Sequence, residues 1–132
     1  MAMFEGSSAS STRSRLRGFI RSIAGSASSE ESAIQLEHVL RVRSELAAGH
    51  GDLLRMLAPA AVADTLGDPE RIAAYAESLA AEALLRERTG ETERAEALRT
   101  RAVAVAREAK QRARVPDAEV EQLIARSGRL SD

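Results

Sequence analysis

The two histidines are the first residues to test for metal or acid–base chemistry. Di-metal carboxylate centres in helical bundles use Glu-x-x-His, a spacing that places both ligands on one helix face. Gln35 precedes His38 by three residues and Ala47 precedes His50 by three, so the signature is absent. Neither neighbourhood supplies the further ligands that zinc needs. The sequence predicts no metal centre, with His38 at a helix surface and His50 in a turn.

Covalent catalysis has no better support in the pattern of residues. The 132-residue chain has no cysteine, which excludes disulfides and thiolate nucleophiles. The serines concentrate near the start without a Gly-x-Ser-x-Gly elbow, and no glycine-rich phosphate loop is present. Glu77, Glu82 and Glu87 recur along one predicted helix with Arg86 and Arg88 among them, a pattern typical of a solvated face. We expect no catalytic residue, no metal and no cofactor. An enzyme with a carboxylate site is kept only as the second alternative for the function.

The charge balance disfavours binding of nucleic acid. Nineteen basic residues oppose 20 acidic ones, giving a net charge of -1, and the chain has no Trp, one Tyr and two Phe. A nucleic-acid binder needs a basic surface, and single strands need aromatic stacking platforms. Lys110 is the only lysine, and this strong preference for arginine indicates a GC-rich bacterial genome.

Residues 1–28 form a Ser/Arg-rich N-terminal segment in which apolar residues recur at spacings of three and four. This pattern predicts a short amphipathic helix over about residues 12–25 with arginines on its other face. The candidate contacts to a partner or to a membrane are Arg13, Arg15, Leu16, Arg17, Phe19, Ile20, Arg21 and Ile23.

Three interpretations of this segment remain open. The helix docks its apolar stripe on the rest of the chain, or it binds a partner or an anionic membrane surface. The third is a cleaved targeting peptide, which the acidic Glu5 argues against. No apolar stretch reaches the ~20 residues that a transmembrane helix needs.

The remaining chain is rich in the helix formers Ala, Leu, Arg and Glu. We predict an all-α fold: a small antiparallel helical bundle formed by a single domain over residues 29–128, with a tail at 129–132. The first helix starts at a capping box of Ser28 and Glu31 and ends near Ala48. Two short helices follow over residues 52–66, opened by Asp52 and Pro59.

Two long helices follow, joined by a short loop. Asp68-Pro69-Glu70 predicts a capped start, and Gly90 predicts the stop. The partner helix is predicted from Glu91 to Arg114, and the brief connection makes the two helices antiparallel neighbours. A last helix opens at Pro116-Asp117 and is predicted to stop at Gly128.

Five residues of this hairpin have the spacing of a known repeat: Leu79, Ala83, Gly90, Ala95 and Ala102. The stretch of about residues 76–109 resembles a single tetratricopeptide repeat, and the layout of the whole chain resembles small bacterial helical proteins of unknown function. Arg86 and Arg99 stand where that family usually has aromatic residues. No second copy follows, so an array is not expected. The resemblance implies a protein-interaction role.

The predicted function is therefore a non-catalytic helical interaction module, an adaptor or accessory subunit that binds a protein partner. Tyr75 is a candidate exposed anchor, because it combines an apolar ring with a polar tip. The alternative is a peripheral membrane protein, or an extrinsic subunit of a membrane complex, docked through residues 12–25. The expected location is the cytoplasm, with peripheral attachment to the membrane under that alternative. The Ala-rich faces also permit pairing of two copies as a homodimer.

Overall fold

The computed structural model describes residues 13–16, 18, 29–47 and 50–131, without the side chains of residues 29 and 127–131. The described chain contains helices and no strand, which confirms the all-α prediction. Residues 13–16 and 18 are helical and form α1. The other helices are α2 (Ser29–Ala47), α3 (Gly51–Met56), α4 (Pro59–Leu66), α5 (Pro69–Arg88), α6 (Thr92–Arg112) and α7 (Ala118–Ser131).

The hairpin of α5 and α6 forms the centre of the fold. The Glu70 N–H donates to Asp68 Oδ1 at 3.1 Å, so Asp68 caps α5 as predicted. Gly90 has a φ of +86° and reverses the chain between the two helices. The largest apolar cluster joins α5 and α6 to α4 and α7, so these helices share one core. α2 packs on α5 through two smaller clusters.

The short helices follow the sequence less closely. Pro59 is the first residue of α4, as predicted. The predicted cap of α3 by Asp52 is wrong: His50 occupies the N-cap position without a side-chain hydrogen bond, and Asp52 lies inside the first turn. α3 begins at Gly51, one residue before Asp52, so Asp52 cannot occupy the cap position. The predicted cap residue of α2, Ser28, lies outside the described residues.

The connection from α4 to α5 is a γ-turn. Gly67 has φ +80° and ψ −57°, and the Asp68 N–H donates to the Leu66 carbonyl at 3.0 Å. This strained three-residue turn leads directly into Pro69. Because of this turn, only Gly67 and Asp68 separate the end of α4 from the start of α5.

The predicted stop at Gly128 is wrong, because α7 continues to Ser131. A glycine inside a helix costs about 1 kcal/mol, which is too little to end it alone. The start of α7 was placed correctly. Asp117 Oδ1 accepts from the N–H groups of Glu119 and Val120 at 3.1 and 3.2 Å.

Candidate functional site: an arginine-lined groove

An open groove of about 380 Å³ lies between α2, α3, α5 and α6, and we call it the arginine groove. Its charged lining residues are Arg43, Arg55, Arg86, Arg94, Arg101 and Glu82. Its other lining residues are Leu40, Tyr75, Leu79, Ala97 and Leu98. Five arginines therefore surround a largely apolar floor. The volume of the groove lies within the range of about 300–1,000 Å³ that is typical of ligand pockets.

The inner arginines are held by a buried carboxylate. Glu82 is 3% exposed and accepts from Arg43 Nη1 at 2.6 Å and from Arg86 Nε at 3.0 Å. Burial alone would raise the pKa of Glu82, but the Arg43 and Arg86 guanidiniums lower the pKa more, so Glu82 stays ionised at neutral pH. Arg43 also donates to the hydroxyl and the carbonyl oxygen of Ser78. Both guanidiniums are thus fixed in orientation.

The outer arginines have fewer or longer contacts. Arg101 donates to the Leu54 carbonyl at 2.6 Å, which ties α6 to α3. The side chains of Arg55 and Arg94 are exposed, and their nearest carboxylates, of Asp52 and Glu91, lie at 3.8 Å. Exposed pairs at this distance contribute little stability, on the order of 0–1 kcal/mol. Arg55 and Arg94 can therefore reorient toward a bound molecule at small cost.

A second charged site surrounds Arg13, and we call it the carboxylate pocket. Arg13 donates to Glu70 at 2.8 Å, to Glu77 at 2.9 Å, and to Asp117 at 2.8 and 3.1 Å. A fourth acceptor, Glu119, lies at 3.3 Å. Burial would lower the pKa of the Arg13 guanidinium, but its carboxylate partners raise it above its ordinary value. Arg13 is therefore a permanently charged link between α1, α5 and α7.

The carboxylate pocket changes the interpretation of the N-terminal segment. Arg13 and Leu16 are 3% and 0% exposed, and Leu16 packs against Val42, Leu46 and Ala74. In this structure neither side chain is available to a partner or a membrane, and α1 docks on the helical domain. Arg15 remains exposed, 3.8 Å from Glu45. The other candidate contacts lie outside the described residues: Arg17, Phe19, Ile20, Arg21 and Ile23.

The expectation of an exposed Tyr75 is wrong, because its side chain is 1% exposed. It lies under the arginine groove, where α5 faces the core, and its ring fills space between helices. The repeat-like residues Leu79, Ala83, Ala95 and Ala102 are all buried, and Gly90 forms the turn between α5 and α6.

No group of three or more His, Asp or Glu side chains suited to a metal ion occurs among the described residues. His38 and His50 are both exposed. No helix in the described ranges is long and apolar enough to cross a membrane.

The sequence patterns did not predict which carboxylates the arginines contact. The pattern of glutamates and arginines along α5 predicted a solvated face, yet Glu77 and Glu82 are 5% and 3% exposed. The signal that the sequence patterns did not reveal is the position of these two carboxylates. Both lie within the stretch of α5 that is buried almost without interruption. A carboxylate there needs a paired cation. Arg13 and Arg43 are 64 and 39 residues away in sequence, so local spacing could not identify them.

Comparison with protein families, with characterised proteins and with solved structures finds no match to this chain.

Proposed function

We propose that this protein is a non-catalytic helical interaction module, an adaptor or accessory subunit that binds a protein partner in the arginine groove. The observation that carries this proposal is the groove itself: an open concavity with a partly apolar floor and five arginines. A preformed concave surface with a few fixed polar groups is the usual form of a binding site.

The arrangement of the groove favours binding over catalysis. Its charged groups are arginines, which hold a proton at any physiological pH and so do not act as general bases. Its one carboxylate, Glu82, is engaged by two arginines. The exposed guanidiniums of Arg55 and Arg94 are well suited to recognising carboxylates of a partner through paired hydrogen bonds.

The α5–α6 hairpin is proposed to be tetratricopeptide-like. The support is the burial of the small residues Ala83, Ala95 and Ala102 and the positive φ of Gly90 at the turn. Under this proposal the hairpin presents one wall of the groove to the partner. Because the proposed function is the binding of a protein partner in the groove, we also propose a cytoplasmic location.

Membrane attachment through the N-terminal helix has weaker support. Arg13 and Leu16, two of the residues that would contact lipid, are buried against α2, α5 and α7. Releasing them would break the contact between Arg13 and the buried Glu77 carboxylate. We therefore place the interaction surface in the groove and not on α1.

Site-specific photo-crosslinking in the native host tests the proposal. A p-benzoylphenylalanine in place of Ala97, an exposed groove residue, should give a crosslink to one defined protein. The same group in place of Gln111, exposed on the same helix and outside the groove, is the matched control. Absence of a crosslink at position 97, or equal products at both positions, would contradict the proposed function.

A further inference from the structure

We infer that the segment bound in the arginine groove is acidic and carries apolar side chains on one face. This inference rests on the proposed function and specifies the chemistry of the partner. Its two supports are the charge of the groove and the apolar character of its floor.

The charge of the groove is strongly one-sided. Five arginines and one glutamate line it, an excess of four positive charges. Counting the two acidic residues near its rim, Asp52 and Glu91, still leaves an excess of two. The whole chain has a net charge of -1, so this local excess is a property of the groove. Such a patch attracts and orients an oppositely charged partner.

The apolar part of the groove selects among anionic partners. Leu40 is 39% exposed at the groove, and Leu98 is half-buried beside Ala97. Covering such surface contributes about 25 cal/mol per Å² of apolar area, and a partner without apolar groups would not gain it. α3 exposes two more large apolar side chains, Leu53 and Met56, on either side of Arg55 in sequence.

A protein segment fits these features better than a nucleic acid does. Binding of single-stranded nucleic acid relies on exposed aromatic rings, and the one aromatic residue in the groove, Tyr75, is 1% exposed. A peptide can supply both groups that the groove requires: carboxylates for paired hydrogen bonds with guanidiniums, and leucine-like side chains for the floor.

The test measures binding to the full-length protein by fluorescence anisotropy. The probe is a labelled peptide of about 15 residues with leucines at i and i+4 and glutamates on either side, the form used by groove-binding helices. Comparison peptides replace the glutamates with lysine or the leucines with serine. A single-stranded oligonucleotide with the same number of negative charges is the third comparison.

The acidic leucine peptide should bind, and the lysine peptide should not. Replacing both leucines with serine should weaken binding at least about tenfold, since the burial of two apolar side chains is lost. Raising the salt from about 0.05 M to about 0.5 M should also weaken binding, because exposed charges are screened.

Charge reversal locates the binding site. Arg55→Glu with Arg94→Glu should reduce affinity at least about tenfold, because each position changes from attraction to repulsion. Arg107→Glu with Arg126→Glu makes the same charge change at two exposed arginines outside the groove and should have a much smaller effect. Circular dichroism and the urea midpoint of each variant verify the fold.

Two kinds of result would overturn the inference. One is no binding of the acidic leucine peptide up to about 1 mM, or equal binding of the oligonucleotide. The other is an equal loss of affinity in the groove variant and the control variant. A crosslink from position 97 to a non-acidic segment would leave the proposed function intact and reject its acidic partner.

Discussion

At the scale of single residues, two carboxylates are buried in the part of the chain that the structure describes, and each is paired with a specific arginine. Glu77 is paired with Arg13, and Glu82 with Arg43 and Arg86. A buried ion pair adds little net stability, but removal of one partner is costly because the other charge remains in a poor solvent. These ion pairs therefore affect the stability of the fold most when one partner is removed and the other remains.

Arg13→Ala should destabilise the protein by about 2–3 kcal/mol. The loss is smaller than for a pair fixed deep in a core, because α1 can detach and water can then reach Glu77. Urea denaturation of the full-length protein measures the change. Arg15→Ala is the control: this side chain is exposed and 3.8 Å from its nearest carboxylate, and its removal should change stability by less than about 0.5 kcal/mol. Equal effects at both positions would show that Arg13 is not a structural link.

Acidification should reduce stability through the same groups. The hydrogen bond from Arg13 lowers the pKa of Asp117, with further lowering by the Val120 and Glu119 N–H groups, and the pKa of Glu82 is also lowered. A carboxyl whose folded-state pKa is depressed stabilises the fold above its unfolded pKa of about 4. That contribution is lost as the pH falls from about 4 through the lower folded-state value.

Urea midpoints between pH 7 and pH 3 measure this dependence. Stability should be level near neutrality and fall below about pH 4.5. In Arg13→Ala the pKa of Asp117 returns toward its ordinary value, so the fall on acidification should be smaller than in the unmodified protein. An unchanged pH dependence in that variant would contradict the assignment.

At the scale of elements, two glycines determine how α5 is placed. Gly67 forms the γ-turn before α5, and Gly90 forms the turn after it, both with positive φ. Neither position would bring an added Cβ within 4 Å of another group. The requirement for glycine is therefore one of backbone conformation and not of space.

Gly90→Ala should destabilise the protein by about 1 kcal/mol, the cost of a left-handed alanine reduced by the lower entropy of the unfolded chain. Gly67→Ala should cost about 2 kcal/mol, because the γ-turn conformation is more strained. Gly51→Ala is the control: Gly51 is helical in α3, so alanine should be neutral or stabilising by up to about 1 kcal/mol. Thermal unfolding of the three variants compares them, and similar losses at all three positions would contradict this explanation.

Patterns within one element were predicted well. The cap of Asp68, the turn at Gly90 and the extent of α6, predicted as Glu91–Arg114 and observed as Thr92–Arg112, all depend on residues close in sequence. The stop at Gly128 failed because one glycine weakens a helix without offering its carbonyls other partners.

At the scale of the whole molecule, α1 connects three helices through two side chains. Arg13 contacts α5 and α7, and Leu16 contacts α2 and α5. The two contacts depend on the same docked segment. Losing one of them weakens the docking on which the other relies.

A double-mutant cycle tests this dependence. Leu16→Ala alone should cost about 2–3 kcal/mol, because the side chain is fully buried. Combined with Arg13→Ala, the total should fall short of the sum of the single losses by at least about 1 kcal/mol, since α1 detaches only once. Urea denaturation of the two single variants and the double variant provides the cycle. Additive losses would show that the two contacts act independently.

The sequence alone determined the helical class, the central hairpin and most helix boundaries, because propensities, caps and apolar periodicity act over a few residues. Only the tertiary structure decided that Arg13 enters a pocket of four carboxylates, that Tyr75 is buried, and that arginines of α2, α3, α5 and α6 line one groove. Those outcomes depend on which faces of distant helices meet. Glu77 is paired with an arginine of α1 and Glu82 with one of α2, and spacing along α5 does not contain that information.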